Sequence, residues 1–284
     1  MTARFARFAA IDWSGAKGKR HKGIAIAICE AGEKPPNLVR PGHIWSRTEV
    51  LDWLLATAAD APTLFGFDFS FAPPIAERGG YLPGEAGVPG DAKGFWAYVD
   101  SRCEDEDLGA ASFLETAHRR HFYFGAADGV KRNFLHHRIC EQAFNATGGG
   151  KASSVYDAIG AAQVAKASFA GMRLLHALAG RVSVWPMDRP PARGSLVVEI
   201  YTRAFIRLAG LSGRKVRDSA SLNRALGALG SQSHQRRAPL TDHDTDVLIA
   251  AAGLRRIAAD AAYWSPRGLT PALARSEGWT FGIA

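Results

Sequence analysis

Short apolar runs separated by turns fill the first seventy residues. Residues 5–12 (Phe5, Phe8, Ala9, Ala10, Ile11) read as a strand, and residues 23–29, with Ile and Ala alternating from Ile24 to Ile28, as a second. A turn at Gly32 to Pro36 leads to a third short strand around His43, Ile44 and Trp45. Ser46 and Glu49 have the spacing of a capping box, and Val50, Leu51, Leu54, Leu55 and Ala58 follow at helical spacing. Thr63 to Ser70 reads as the fourth strand. Three strands, a helix and a fourth strand open a mixed α/β sheet.

The pattern then changes. Pro73-Pro74, Gly79-Gly80, Pro83-Gly84 and Pro89-Gly90 punctuate a long loop, and Glu104 to Asp107 form an acidic run that reads as a solvated turn. Helical pieces are expected over 110–121 and 132–145, ending at Gly148-Gly149-Gly150. Residues 71–150 thus read as an insertion within one domain spanning 1–284. A helix over 162–179 returns the chain to the sheet. Strands follow at Val182 to Trp185 and Leu196 to Tyr201, on either side of the Pro-rich break 186–191. Helices are expected over 202–210, 219–229 and 242–262, the last with Val247, Leu248, Ala251, Leu254 and Ala258 on one face.

Four apolar stretches each carry a carboxylate where patterning alone would not place one: Asp12, Asp68, Glu199 and, in the last helix, Asp246. A buried carboxylate costs several kcal/mol unless something pairs with it. A shared cation accounts for all four. Asp12 precedes Trp13-Ser14-Gly15, where the chain must turn; an Asx-type turn is the structural alternative. Asp68 should face away from Phe67 and Phe69. Glu199 is either a ligand or a buried partner for an arginine such as Arg203. In the last helix, Asp242 or His243 shares a face with Asp246, whereas Thr241 and Asp244 suit a structural cap. Oxygen donors without cysteine favour Mg²⁺ or Mn²⁺ over zinc. Two such ions about 4 Å apart suit in-line phosphodiester displacement.

Charge points the same way. The chain has 284 residues, 35 Lys+Arg against 27 Asp+Glu, a net charge of +8, and 47% hydrophobic residues, enough for a sizeable core. Between Arg203 and Arg237 stand eight basic residues (Arg203, Arg207, Arg214, Lys215, Arg217, Arg224, Arg236, Arg237) and one acid, Asp218. This stretch reads equally as a polyanion-binding face and as a solvated surface. Lys17, Lys19, Arg20 and Lys22 follow Asp12, and with Ser14 the first three are candidates for substrate phosphates. His118 and His121 have zinc-compatible spacing, but Arg119 and Arg120 between them repel a cation, so phosphate contact suits them better. Cys29, Cys103 and Cys140 form no C-x-x-C pair, and no signal peptide or transmembrane run is expected; a nucleic-acid partner, no membrane and a reducing cytoplasm fit, with oligomeric state open.

The order of elements, with acids ending the first and fourth strands and entering the last helix, resembles the ribonuclease H-like fold. Ala10-Ile11-Asp12-Trp13-Ser14-Gly15, Gly66-Phe67-Asp68-Phe69-Ser70, Val198-Glu199-Ile200-Tyr201 and Asp242-His243 with Asp246 look like the motifs of an uncharacterised bacterial family of predicted nucleases with that fold. The resemblance covers roughly 5–70 and 155–262. It implies a mixed five-stranded sheet flanked by helices, with a large insertion after the fourth strand. It also implies a metal-dependent nuclease in which Asp12, Asp68 and Asp246 bind Mg²⁺ or Mn²⁺. Glu199 would be a further metal and catalytic acid, and His243 a catalytic group. Many members of the superfamily carry Glu where Asp68 stands, which has a longer reach. The same fold builds actin-like ATPases and sugar kinases, whose first turn holds nucleotide phosphates. Residues 14–18 offer such a turn, but no second Asp-Gly-Gly loop is present. A nucleic-acid-binding protein that lost its activity is the third reading.

Overall fold

The computed structural model describes residues 4–148, 152–160, 163–211, 216–235 and 239–284. Gly149, Gly150, Arg214, Lys215, Arg236 and Arg237, named above, lie outside the described residues. The elements in chain order begin with strands β1 (Arg7–Asp12), β2 (Ala25–Glu30) and β3 (Asn37–Leu38), then helix α1 (Arg47–Asp60) and strand β4 (Thr63–Asp68). Helices α2 (Ala92–Ser101), α3 (Ile139–Ala146) and α4 (Ala165–Leu178) precede strands β5 (Ser183–Trp185) and β6 (Leu196–Glu199). The chain closes with α5 (Thr202–Leu208), α6 (Ser219–Ala228), α7 (Asp242–Ile257), α8 (Ala261–Trp264) and α9 (Pro271–Arg275).

The strands form one mixed sheet in the order β3-β2-β1-β4-β6-β5. β1 runs antiparallel to β2 and parallel to β4, and β4, β6 and β5 are mutually parallel. The sheet therefore has six strands, the number the apolar runs give and one more than the resemblance implies, because both short runs around the Pro-rich break pair into it. The third strand lies at Asn37–Leu38, not at residues 43–45. Trp45 makes only an isolated bridge to His21, since the capping box at Ser46 already turns the chain into α1. That box is formed as the sequence implies: the Ser46 hydroxyl accepts from the Glu49 N–H at 3.0 Å, and Glu49 accepts from the Ser46 N–H at 2.8 Å.

Strand alternation divides the core in two. Ala9, Ile11, Phe65, Phe67 and Val197 face a cluster with Val50 and Leu54 of α1, Phe95 and Trp96 of α2, and Phe169 of α4. Phe8, Ala10, Leu64, Leu196 and Val198 face α5, α6 and α7, together with Trp279 and Phe281 near the C-terminus. Gly66 sits under α7 because a Cβ there would lie 2.7 Å from Leu254 Cδ1 and Ile200 Cγ2. Among the described residues no helix is long and apolar enough to cross a membrane.

Residues 71–148 are more ordered than their Gly/Pro punctuation implies. α2 stands inside the expected loop, started by Asp91, whose carboxylate accepts from the Gly94 N–H at 2.9 Å. The helix expected over 110–121 is instead a π-helical turn at Phe113–Ala117 and a 3₁₀ turn at Arg119–His121. The piece expected over 132–145 is a 3₁₀ turn at Lys131–Phe134 followed by α3. The acidic run is only partly solvated. Asp107 caps α1, accepting from the Arg47 N–H at 2.9 Å and the Thr48 N–H at 3.0 Å.

Candidate functional site

β1 and β4 end together. Asp12 is the direct register partner of Asp68 across the parallel pair, so both carboxylates leave the sheet at one edge and on one face. That face is the one covered by α7, whose first turn brings His243 to Asp12: His243 Nδ1 lies 2.6 Å from Asp12 Oδ2. α7 starts there because Thr241 caps it, accepting from the Asp244 N–H at 3.1 Å while Asp244 accepts from the Thr241 N–H at 2.9 Å. Asp242 turns the other way and pairs with Arg217 at 3.1 Å.

Asp68 registers its surroundings electrically. Burial raises its pKa to about 7, with the charge of Asp12 adding to the rise and that of Asp246 adding further. The Thr202 side chain pulls the other way, donating from Oγ1 to Asp68 Oδ2 at 2.8 Å. Thr202 opens α5 three residues after Glu199, and its role escaped the sequence reading because a helix-initiating threonine is ordinarily a local cap.

Glu199 does not join this cluster. Its register partner is Phe67, so alternation sends its side chain to the opposite face from Asp68. There it is buried against Arg138, not Arg203. One carboxylate oxygen accepts from Arg138 Nη2 and from Thr280 Oγ1 at 2.6 Å. The other accepts from Arg138 Nη1 at 2.7 Å and the Phe71 N–H at 2.8 Å. Four donors fill the four acceptor positions of a carboxylate, leaving none for a metal. The expectation of Glu199 as ligand is thus corrected: it is the counter-ion of a buried arginine. No sequence signal pointed to Arg138, which lies 61 residues away.

The turn after β1 is held from two sides. Arg47, fully buried, donates from Nε to the Ser14 carbonyl at 2.9 Å and from Nη2 to the Ala16 carbonyl at 2.6 Å. Burial lowers its pKa to about 10. On the other side Gly15 lies so close to α4 that a Cβ would stand 2.1 Å from the Lys166 carbonyl carbon. Ser14 is near His243: a Cβ on Gly23 would meet Ser14 Oγ at 3.5 Å and His243 Cε1 at 3.7 Å.

The basic residues expected to meet phosphates already have partners. Lys17 pairs with Glu115 at 2.6 Å, Lys19 with Glu106 at 3.0 Å, and Arg20 with Glu49. An open cleft beside Gly15 to Gly18 is bordered by Asp105, Glu106 and Glu115. His118 and His121 are also not placed for phosphate. Both are buried and grip Glu85, with His118 Nδ1 at 2.7 Å and His121 Nε2 at 2.8 Å, and burial lowers both imidazole pKa values.

Among the described residues no three His, Cys, Asp or Glu side chains are gathered in an arrangement ready to hold a metal ion. Asp12, Asp68 and Asp246 are oxygen donors of the kind a hard divalent cation takes, and the charges of Asp12 and Asp246 both act on Asp68. Coordination through Asp12 Oδ2 requires His243 to give way. No family profile, curated protein or solved structure matches this chain.

Proposed function

We propose that the protein is a Mg²⁺- or Mn²⁺-dependent phosphodiesterase of the ribonuclease H-like class that cleaves nucleic acid in the cytoplasm. The observation that carries this reading is the register pairing of Asp12 and Asp68 at one end of the central parallel strands, where the carboxyl of Asp68 is driven up to about 7 by burial, by the charge of Asp12 and, least, by that of Asp246. A mixed sheet flanked by helices, with β2 antiparallel and β4 parallel to β1, supports the fold part of this reading, though it has six strands where the resemblance implies five. Three free cysteines agree with a reducing compartment.

In this reading Asp12, Asp68 and Asp246 would hold the cation, and its chemistry there would be Lewis-acid charge for the scissile phosphate. His243, held at the same edge by Asp12, would take the proton that the attacking water gives up. Thr202 keeps Asp68 oriented. Lys17, Lys19 and Arg20, whose own side chains are exposed, exchange their carboxylate partners for substrate phosphates, because surface ion pairs contribute little. The kinase-like reading has less support, since acids border the turn that would hold nucleotide phosphates.

Calorimetric titration of Mn²⁺ into wild type and into Asp12→Asn/Asp246→Asn, paired with cleavage of branched DNA and an RNA–DNA hybrid, tests the proposal. Wild type binds and cuts; the folded double variant does neither. Equal weak binding in both proteins would refute it. Nucleic-acid binding without turnover by wild type, unchanged in Asp12→Asn, would move the binding-only reading to the front.

A further inference from the structure

Three lysines near the end of β1 take their carboxylate partners from the insertion. Lys17 and Lys19 stand on the turn that follows Asp12, and Lys166 lies in the first turn of α4, whose backbone packs on Gly15. Glu115 takes two of them, one per oxygen: Oε2 lies 2.6 Å from Lys17 Nζ, and Oε1 lies 3.5 Å from Lys166 Nζ. Glu106 takes Lys19 at 3.0 Å. The Lys17–Glu115 pair joins the two walls of an open cleft of about 430 Å³. Gly15 to Gly18 form one wall, and Glu106, Ser112, Glu115 and Thr116 belong to the other.

Glu115 stands on the π-helical turn Phe113–Ala117, a turn type that recurs at functional sites; buried Phe113 and Leu114 anchor it. Burial alone would raise its pKa, but the hydrogen bond and charge of Lys17 and the charge of Lys166 outweigh burial and hold the carboxyl below its ordinary value. It is therefore an anion with two oxygens, each offered to a lysine. A phosphodiester has the same form: one negative charge shared by two unbridged oxygens. Glu106 is 69% exposed and Glu115 30%, so Glu106 holds its lysine loosely and Glu115 is the firmer stop. Asp105, in the same cleft, turns instead to Ser112, accepting from its N–H at 2.9 Å and from its hydroxyl.

We infer that Lys17, Lys19 and Lys166 form a seat for the phosphodiester backbone of nucleic acid, and that Glu106 and Glu115 of the insertion occupy it as stand-ins until a strand displaces them. This rests on the phosphodiesterase reading for the identity of the polyanion. The contacts are to backbone charge alone, so binding is salt-dependent and indifferent to sequence.

The test is fluorescence anisotropy of the full chain with a labelled oligothymidine single strand, in EDTA so that nothing is cut. Glu115→Gln, which keeps the shape of the side chain, binds roughly fivefold tighter than wild type at low salt. The slope of log affinity against log salt steepens by about 0.7 for each lysine that gains a phosphate. Glu106→Gln moves affinity the same way by less. Adding Lys17→Met and Lys166→Met to Glu115→Gln abolishes the gain. The control is Glu30→Gln, the same charge change on an exposed residue at the opposite end of the sheet: Glu30 registers with Arg7, whereas Asp12 registers with Ala25. That end lies about 17 Å from Asp12 by strand rise, beyond a Debye length of about 10 Å, so Glu30→Gln binds as wild type. A gain in affinity also cannot come from a damaged fold. Binding, or its absence, that Glu115→Gln leaves unchanged overturns the inference, and so does an equal gain in Glu30→Gln, which marks net charge alone. Cutting of the same strand in Mn²⁺ separates the two proposals. Cutting by wild type with no gain in Glu115→Gln removes the occupied seat and keeps the nuclease. The gain without cutting by either protein keeps the seat and removes the nuclease.

Discussion

Asp12 and Asp68 stand opposite each other across the parallel β1–β4 pair, and the nearness of Asp12 helps hold the Asp68 carboxyl at about 7, far above its ordinary 3.8. Two acids in register on adjacent central strands are destabilising by themselves. Their pairing has consequences measurable without any substrate.

The first is a pH dependence of stability. An acid with a folded pKa above its unfolded value binds more protons when folded, so stability is highest at low pH and falls as pH rises between 3.8 and about 7. The slope contributed approaches 1.4 kcal/mol per pH unit inside that window. Asp68→Asn removes it. Urea midpoints compared at pH 5, 6, 7 and 8 will show the variant gaining on wild type as pH rises; a gap independent of pH would mean that Asp68 does not titrate there.

Glu199→Gln separates structure from chemistry. It leaves the Arg138 guanidinium buried without its main counter-charge, so unfolding free energy drops by roughly 3–5 kcal/mol. Mn²⁺ affinity of the folded fraction stays at the wild-type level, because Glu199 faces away from Asp12 and Asp68. Calorimetry that shows metal binding lost while the fold persists would return Glu199 to the ligand set.

Thr202→Val deletes one donor with little change of shape. The Asp68 carboxyl loses the hydrogen bond that favours its charged form, and its pKa moves higher still. The stability loss is about 0.5–1.5 kcal/mol. Carboxyl ¹³C titration of Asp68 reads the shift directly, and an unmoved curve would show that Thr202 does not hold it.

Gly15→Ala attacks the turn behind Asp12. The new Cβ would meet the backbone of Lys166 and Ala167 at 2.1 and 2.2 Å, and backbone cannot swing aside as a side-chain tip can. A loss of at least about 1–3 kcal/mol follows, read by thermal melting, and Mn²⁺ affinity falls with it. Unchanged melting would mean that the turn and α4 are not locked together.

Much of the frame is legible from local pattern. The apolar runs at β1, β4 and β6, the alternating run at β2, the capping boxes at Ser46 and Thr241, and the apolar face of α7 each have their cause within a few residues of themselves. Asp12 and Asp68 were conspicuous for the same reason, as charges closing apolar strands. α2 was hidden because Gly and Pro signals around it outweighed three well-spaced apolar residues, Phe95, Trp96 and Val99. The two-residue β3 is too short to have a period at all.

Local pattern sets where carboxylates interrupt apolar runs, and so which residues must find partners. The identity of those partners comes from the folded arrangement. Asp12 met Asp68 and His243, whereas Glu199 met Arg138 and Thr280, because one step of strand alternation sends a side chain to the other face of the sheet. Ion pairing and hydrogen bonding depend on distances of a few ångströms between residues far apart in the chain, and no local pattern records those distances.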